Sequence, residues 1–203
     1  MVDVASYRLG IYLTSAFIIL GLIFWYLLRL QRTEVNLVQS QRYANNSYGN
    51  LASLILLLMY FQIFLGALVA GIDAGRTYTD WPLMAGEFFP ALAFELKPIW
   101  RNFFESEALV QFNHRVSGYI LIIVVLYSWF KFRSLGNKKL RIYFNWVLIA
   151  LVGQVILGII TVLHAAVWYI AILHQFSAII LISIVLIAKF ETNYPGMQSA
   201  KTV

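Results

Sequence analysis

Hydrophobic residues fall in long unbroken runs separated by short polar segments, not in alternating or one-sided patterns. Five runs stand out: Ile11–Leu28, Leu51–Gly71, Phe112–Phe130, Ile142–Leu163 and Ile170–Ala188. Each suits a membrane helix, which takes about 20 mostly apolar residues. Lipid offers no partner to a free backbone N–H or C=O, so such runs cross as helices. None contains proline; Pro82, Pro90, Pro98 and Pro195 lie in loops or the tail. The first run is too long for a signal-peptide core and lacks a small-x-small cleavage site, so it counts as a span. The pattern predicts an all-α, polytopic membrane helical bundle with five transmembrane helices.

Composition agrees. Of 203 residues, 61% are hydrophobic and 12% charged, with a mean hydropathy of +0.77. A soluble domain of this size carries far more charged surface. The net charge of +6 does not point to nucleic acid, because it is sorted by loop. Arg29, Arg32 and Arg42 follow the first run; Lys131, Arg133, Lys138, Lys139 and Arg141 separate the third and fourth; Lys189 and Lys201 follow the last. Seven of nine acids fall on the other side, among them Asp3, Asp73, Asp80, Glu87, Glu95, Glu105 and Glu107. Positive-inside asymmetry then places the N-terminus and the 72–111 loop outside and the C-terminus inside. With no cysteine, disulfides, iron–sulfur clusters and thioether-attached haem are excluded.

The runs contain a repeat. The second carries Gln62-Ile63-Phe64-Leu65-Gly66 and the fourth Gln154-Val155-Ile156-Leu157-Gly158; both run from inside to outside. The third carries His114-Arg115-Val116-Ser117-Gly118 and the fifth His174-Gln175-Phe176-Ser177-Ala178, both running back. A helix pair is therefore duplicated, and membrane bundles of this kind place their sites between the repeats. Tyr12-Leu13-Thr14-Ser15-Ala16 fits the same His-x-x-Ser-small frame with tyrosine in the histidine's place. The first run thus resembles the last helix of a preceding unit. The expected domains are a transmembrane helix of that unit (1–30), an inner linker (31–50), a four-helix membrane domain (51–190) with its outer loop, and a tail (191–203). Gln62 and Gln154 are read as amides that hydrogen-bond between helices beside Gly66 and Gly158, which allow close approach.

An ionisable residue inside a membrane is a functional hypothesis by default. His114 and His174 share a frame and a depth, as two axial ligands of a low-spin haem require. Ser117 and Gly118, and Ser177 and Ala178, follow at i+3 and i+4 on the histidine's own face and leave room for a flat ring. Arg115 is placed to pair with a propionate, with Arg76 and Arg101 as weaker candidates, because the guanidinium fork suits carboxylates. The competing readings are ordinary: His114 as an interfacial residue at a helix start capped by Asn113, and His174 as an interhelical hydrogen-bonding group. His164 lacks the frame and reads as interfacial. Zinc fits less well, since no third or fourth ligand stands at helical spacing. The aromatic and proline-rich 72–111 loop suits a lid over the site or an interfacial belt.

These residues also carry a resemblance. GALVAGIDAGRTYTDWPLMAGEFFP (66–90), NFFESEALVQFNHRVSGY (102–119) and LGIITVLHAAVWYIAILHQFSA (157–178) resemble the haem A synthase family of cytochrome oxidase assembly. The resemblance implies eight spans in two four-helix halves and oxidation of a haem O methyl group to the formyl group of haem A. It implies that His114 and His174 are the iron ligands of a b-type haem in the C-terminal half, with the site toward the outer face of a bacterial or mitochondrial inner membrane. It implies haem O, an electron partner, an N-terminal half and oxidase assembly factors as partners. The histidine expected in the fourth span of the family is Tyr12 here, and three earlier spans of the pattern have no counterpart in these residues. The expectation is that residues 1–203 bind haem b but do not make haem A alone. A non-catalytic b-type electron-transfer or assembly protein, and a structural subunit without cofactor, remain the alternatives.

Overall fold

The computed structural model describes residues 5–133 and 137–196. Asp3, Lys201 and the last seven residues of the expected tail lie outside them. Among the described residues the chain forms seven α-helices and no strand, only an isolated bridge between Met84 and Glu87. They are α1 (Ser6–Leu30), α2 (Glu34–Gln41), α3 (Asn46–Gly71), α4 (Asn102–Glu105), α5 (Glu107–Arg133), α6 (Lys138–Leu163) and α7 (Trp168–Asn193). Five of these, α1, α3, α5, α6 and α7, are long and apolar enough to span a membrane, and the chain is an integral membrane protein.

The helices outrun the apolar runs because caps, not hydropathy, set their ends. The Asn45 side chain accepts from the Ser47 N–H at 2.9 Å and starts α3 five residues ahead of its apolar run. Asn137 accepts from Lys139 and Leu140 at 3.1 and 3.2 Å and starts α6. Such caps satisfy first-turn donors that have no partner within the helix. The expected linker is not all linker, since Thr33 caps α2 through the Asn36 N–H at 3.3 Å. Glu34 stands in the first turn of α2, where the helix dipole favours an acid. α5 begins at Glu107, so Asn113 is interior to it and caps nothing, and the 72–111 loop shortens to 72–106.

α3, α5, α6 and α7 close a ring in which α3 and α6 each touch both α5 and α7. α5 and α7 are therefore diagonal. α1 stands outside the ring against α3 and α7. A Cβ on Gly21 would collide with the Tyr60 hydroxyl, so glycine is what lets α1 approach α3 so closely. Ser6 Oγ donates to the Phe104 carbonyl at 2.7 Å at one end of α1. Just past the other end, Arg32 pairs with buried Glu191 at 3.0 Å and lies 5.0 Å over the Phe190 ring.

Apolar packing gains little from the hydrophobic effect in lipid, so close fit and small residues hold the ring together. The tightest packing lies away from the 72–106 loop, where Phe132 and Phe144 stack at 3.8 Å and Val125, Val147, Ile182 and Val185 are fully covered. The loop end is more open. There Gly75 lies against Ala166, in the tight α6–α7 turn where Ala165 and Ala166 hold φ of 52° and 51°. That left-handed backbone is costly for any residue with a Cβ. It reverses the chain quickly enough to set α7 antiparallel beside α6.

Candidate functional site

A cavity of about 370 Å³ opens at the loop end of the ring, within the usual size of small-molecule sites. Its walls are mostly apolar, and the polar side chains that line it include Gln62, Gln111, His114, Arg115, Gln154 and His174. Leu13 and Phe17 of α1 complete the wall.

The duplicated sequence frame becomes duplicated geometry. Gln62 Nε2 donates to the His114 carbonyl at 3.0 Å and lies 3.1 Å from that ring's Nδ1. Gln154 Nε2 donates to the His174 carbonyl at 2.9 Å and lies 3.3 Å from its Nδ1. One helical turn on, a Cβ on Gly66 would stand 3.1 Å from His114 Cε1, and a Cβ on Gly158 would stand 3.1 Å from His174 Cε1. Each histidine therefore packs into the Gln-x-x-Leu-Gly groove of its own hairpin partner, α5 on α3 and α7 on α6. The two hairpins place these rings on diagonal helices, both at the loop end.

The other expected site residues divide. Gly118 and Ala178 line the cavity as small surfaces. Ser177 does not line it; its hydroxyl bonds Gln154 Oε1 and the His174 carbonyl, the latter at 2.9 Å. Ser117 is buried outside the lining. Arg115 reaches the cavity, but its fork is engaged: Nη1 donates to the Leu83 carbonyl at 2.9 Å and Nη2 to the Tyr78 carbonyl at 3.1 Å. Only its Nε is buried without a partner. Gln111 joins the same latch by donating to the Tyr78 carbonyl at 3.0 Å, and its Oε1 is also unpartnered. Arg76 and Arg101 stand off the cavity, paired with Asp73 and Glu105. His164 is exposed at the end of α6, its Nδ1 2.8 Å from the Ile160 carbonyl. Tyr12 is 65% exposed on the outer face of α1.

The loop above the cavity is acidic, and its charges are held by local contacts. Partial desolvation works to raise Asp80, but backbone N–H groups of Ala85 and Gly86 and the nearby Arg115 charge keep its carboxyl below the usual value. Desolvation, then the carboxylates of Glu95, Glu107, Asp80 and Glu87, pushes the Tyr78 phenol up. Buried Asn102 fixes the loop's shape by bonding Leu96 in both directions at 2.9 Å.

The residues fit an iron porphyrin. Two imidazoles reach one cavity from diagonal helices, and glycine and alanine beside them leave room for a ring. Gln111 Oε1 and Arg115 Nε, on two residues that line the cavity, are buried without a partner. They do not fit a multi-ligand metal ion: among the described residues no group of three or more His, Cys, Asp or Glu comes together. Sequence reasoning missed Gln111 and the glutamine–histidine contacts. The shared Gln-x-x-Leu-Gly and His-x-x-Ser-small frames were the available signal for the latter; nothing local marks Gln111.

Known proteins match the chain closely. It is 53% identical to the "Heme A synthase" of Dinoroseobacter shibae, over 99% of this chain and 52% of that protein. The "Heme A synthase" of Jannaschia sp. is 47% identical over 99% of this chain and 53% of its own length, and that of Roseobacter denitrificans 49% identical over 98% and 52%. The chain thus spans about half the length of the curated relatives it matches. No solved structure matches it. The family described as "Cytochrome oxidase assembly protein" (COX15-CtaA) matches residues 1–186. On these matches, the chain belongs to the COX15-CtaA family of cytochrome oxidase assembly proteins.

Proposed function

We propose that the chain carries the haem b-binding part of a haem A synthase, which oxidises a methyl group of haem O to the formyl group of haem A. The observation that carries this is the pair of histidines facing one cavity from duplicated hairpins, in a chain whose relatives bear that name. Bound there, haem b would supply one-electron transfer. The chain's own residues do the rest. His114 and His174 would hold the iron, with Gly66, Gly118, Gly158 and Ala178 keeping side chains out of the ring's way. Arg115 and Gln111 tie the loop backbone across the mouth and limit water, which strengthens polar contacts inside. Purified protein is expected to release one equivalent of non-covalent haem b per chain on acid–acetone extraction. A colourless protein would overturn the reading.

The proposed membrane is the bacterial inner membrane, with the haem site toward its outer face. Support comes from charge: Arg29 and Arg32, like Lys131 and Arg133, stand at helix ends opposite the acidic loop. An outside-only reporter fused near Glu87 should therefore be active. Activity of an inside-only reporter at that point would reverse the orientation.

A further inference from the structure

We infer that residues 88–105, the second half of the 72–106 loop, form a platform that lies in the lipid headgroup region beside the bundle, while residues 73–87 face water. The platform is independent of haem binding.

The 88–105 segment is packed inside out. Its buried residues are small or polar: Pro90, Ala93 and Asn102. Its largest side chains face outward. Phe88, Phe94, Ile99, Trp100 and Phe103 are all exposed, Phe88 by 68% and Trp100 by 58%. A slack backbone does not explain this. Asn102 bonds the Leu96 N–H and the Leu96 and Ile99 carbonyls, each at 2.9 Å, and so fixes the segment with those rings outward. Ring contacts join them into one surface: Phe103 to Phe94 at 6.2 Å, Phe94 to Phe89 at 6.2 Å, and Phe89 to Phe112 at 4.9 Å. A connected exposed apolar patch marks a membrane or partner surface.

Position and charge select lipid. Phe112 opens the apolar run of α5, so Phe88 and Phe89 meet that helix where its spanning stretch begins. At the far end of the segment, the Phe104 carbonyl accepts from Ser6 at the start of α1, just ahead of exposed Ile11 and Tyr12. The patch thus links two spanning helices at the level where their apolar runs begin. A protein partner would have to reach it there, where lipid is already the surrounding medium. Charge divides the loop at the same place. Residues 73–87 carry Asp73, Asp80 and Glu87 against Arg76 alone, and turn Tyr78 and Met84 inward. Residues 88–105 balance Glu95 and Glu105 with Lys97 and Arg101, and Arg101 pairs with Glu105. A neutral segment with exposed aromatic rings suits the water–lipid boundary, where tryptophan collects.

The sequence has no cysteine, so one introduced thiol can carry one nitroxide. Phe88→Cys, Trp100→Cys and Phe103→Cys of the full chain are labelled in nanodiscs of phosphatidylethanolamine and phosphatidylglycerol. Glu87→Cys is the water reference, and Ile19→Cys, exposed midway along α1, is the lipid reference. EPR power saturation compares oxygen, which concentrates in lipid, with a water-soluble nickel chelate. All three platform sites should give an oxygen-to-nickel ratio several-fold above that of Glu87 and below that of Ile19. Ratios equal to that of Glu87 would put the patch in water. Poor access to both reagents would put it under a protein surface, another copy of this chain included. Either result overturns the inference. If a labelled variant does not fold, lipids brominated near the headgroup read the same depth through Trp100. Their fractional quenching of wild-type tryptophan fluorescence should then exceed that of Trp100→Phe, and equal quenching would refute the platform.

Discussion

Replacing His174 with alanine is expected to abolish the low-spin haem spectrum, and replacing His114 to do the same, while His164→Ala leaves it intact. A six-coordinate low-spin iron needs a strong ligand on each face, and these two imidazoles are the ones that reach the cavity. Losing one leaves the iron five-coordinate or water-ligated, which changes the spin state outright instead of weakening a signal by degrees. His164 is the internal control. It is exposed and its Nδ1 is engaged with its own helix, so its removal costs the cavity nothing. Optical and EPR spectra of detergent-purified variants decide the matter, with circular dichroism to show that each is folded. A low-spin spectrum surviving in His174→Ala would remove the axial pair from the proposal.

The second large effect concerns the reaction itself. Expressed as residues 1–203 in cells that make haem O, the polypeptide is expected to bind haem b and yield no haem A. An iron held on both faces has no open position for oxidising a second porphyrin, so haem O needs its own site. Tyr12, the residue in the matching frame, points off the outer face of α1 and away from the cavity. One helix face cannot orient a porphyrin, and orientation supplies a large part of any rate enhancement. Co-expression with a matching four-helix half from a relative should restore haem A. Pigment chromatography reads both arms, and haem A from residues 1–203 alone would refute the expectation.

Much of this was legible in the sequence because membranes make hydropathy informative. Five apolar runs gave five spanning helices. Their ends were less legible, since Asn45, Asn137 and Thr33 extend or start helices through side-chain caps that hydropathy does not register. At the site, repetition made His114 and His174 stand out. What each glutamine touches depends on the register between two helices, and spacing along one helix does not contain that register. Arg115 shows the same limit from the other side. Its position beside His114 suggested a propionate partner, but the loop carbonyls of Tyr78 and Leu83, more than thirty residues earlier, claim its fork. Likewise the frame drew attention to Tyr12, whereas the neighbours that meet the cavity are Leu13 and Phe17.

That last detail gives α1 a role beyond packing: it is a partition. On one side Leu13 and Phe17 meet the cavity; on the other Ile11, Tyr12, Ile19 and Ile23 are exposed. The barrier between the two is a single helix, about 10 Å across with its side chains. Closure of the cavity on this side therefore depends on one layer of side chains, with Phe17 the bulkiest of them. Trim that ring and the cavity opens through the helix wall, with both histidines still in place.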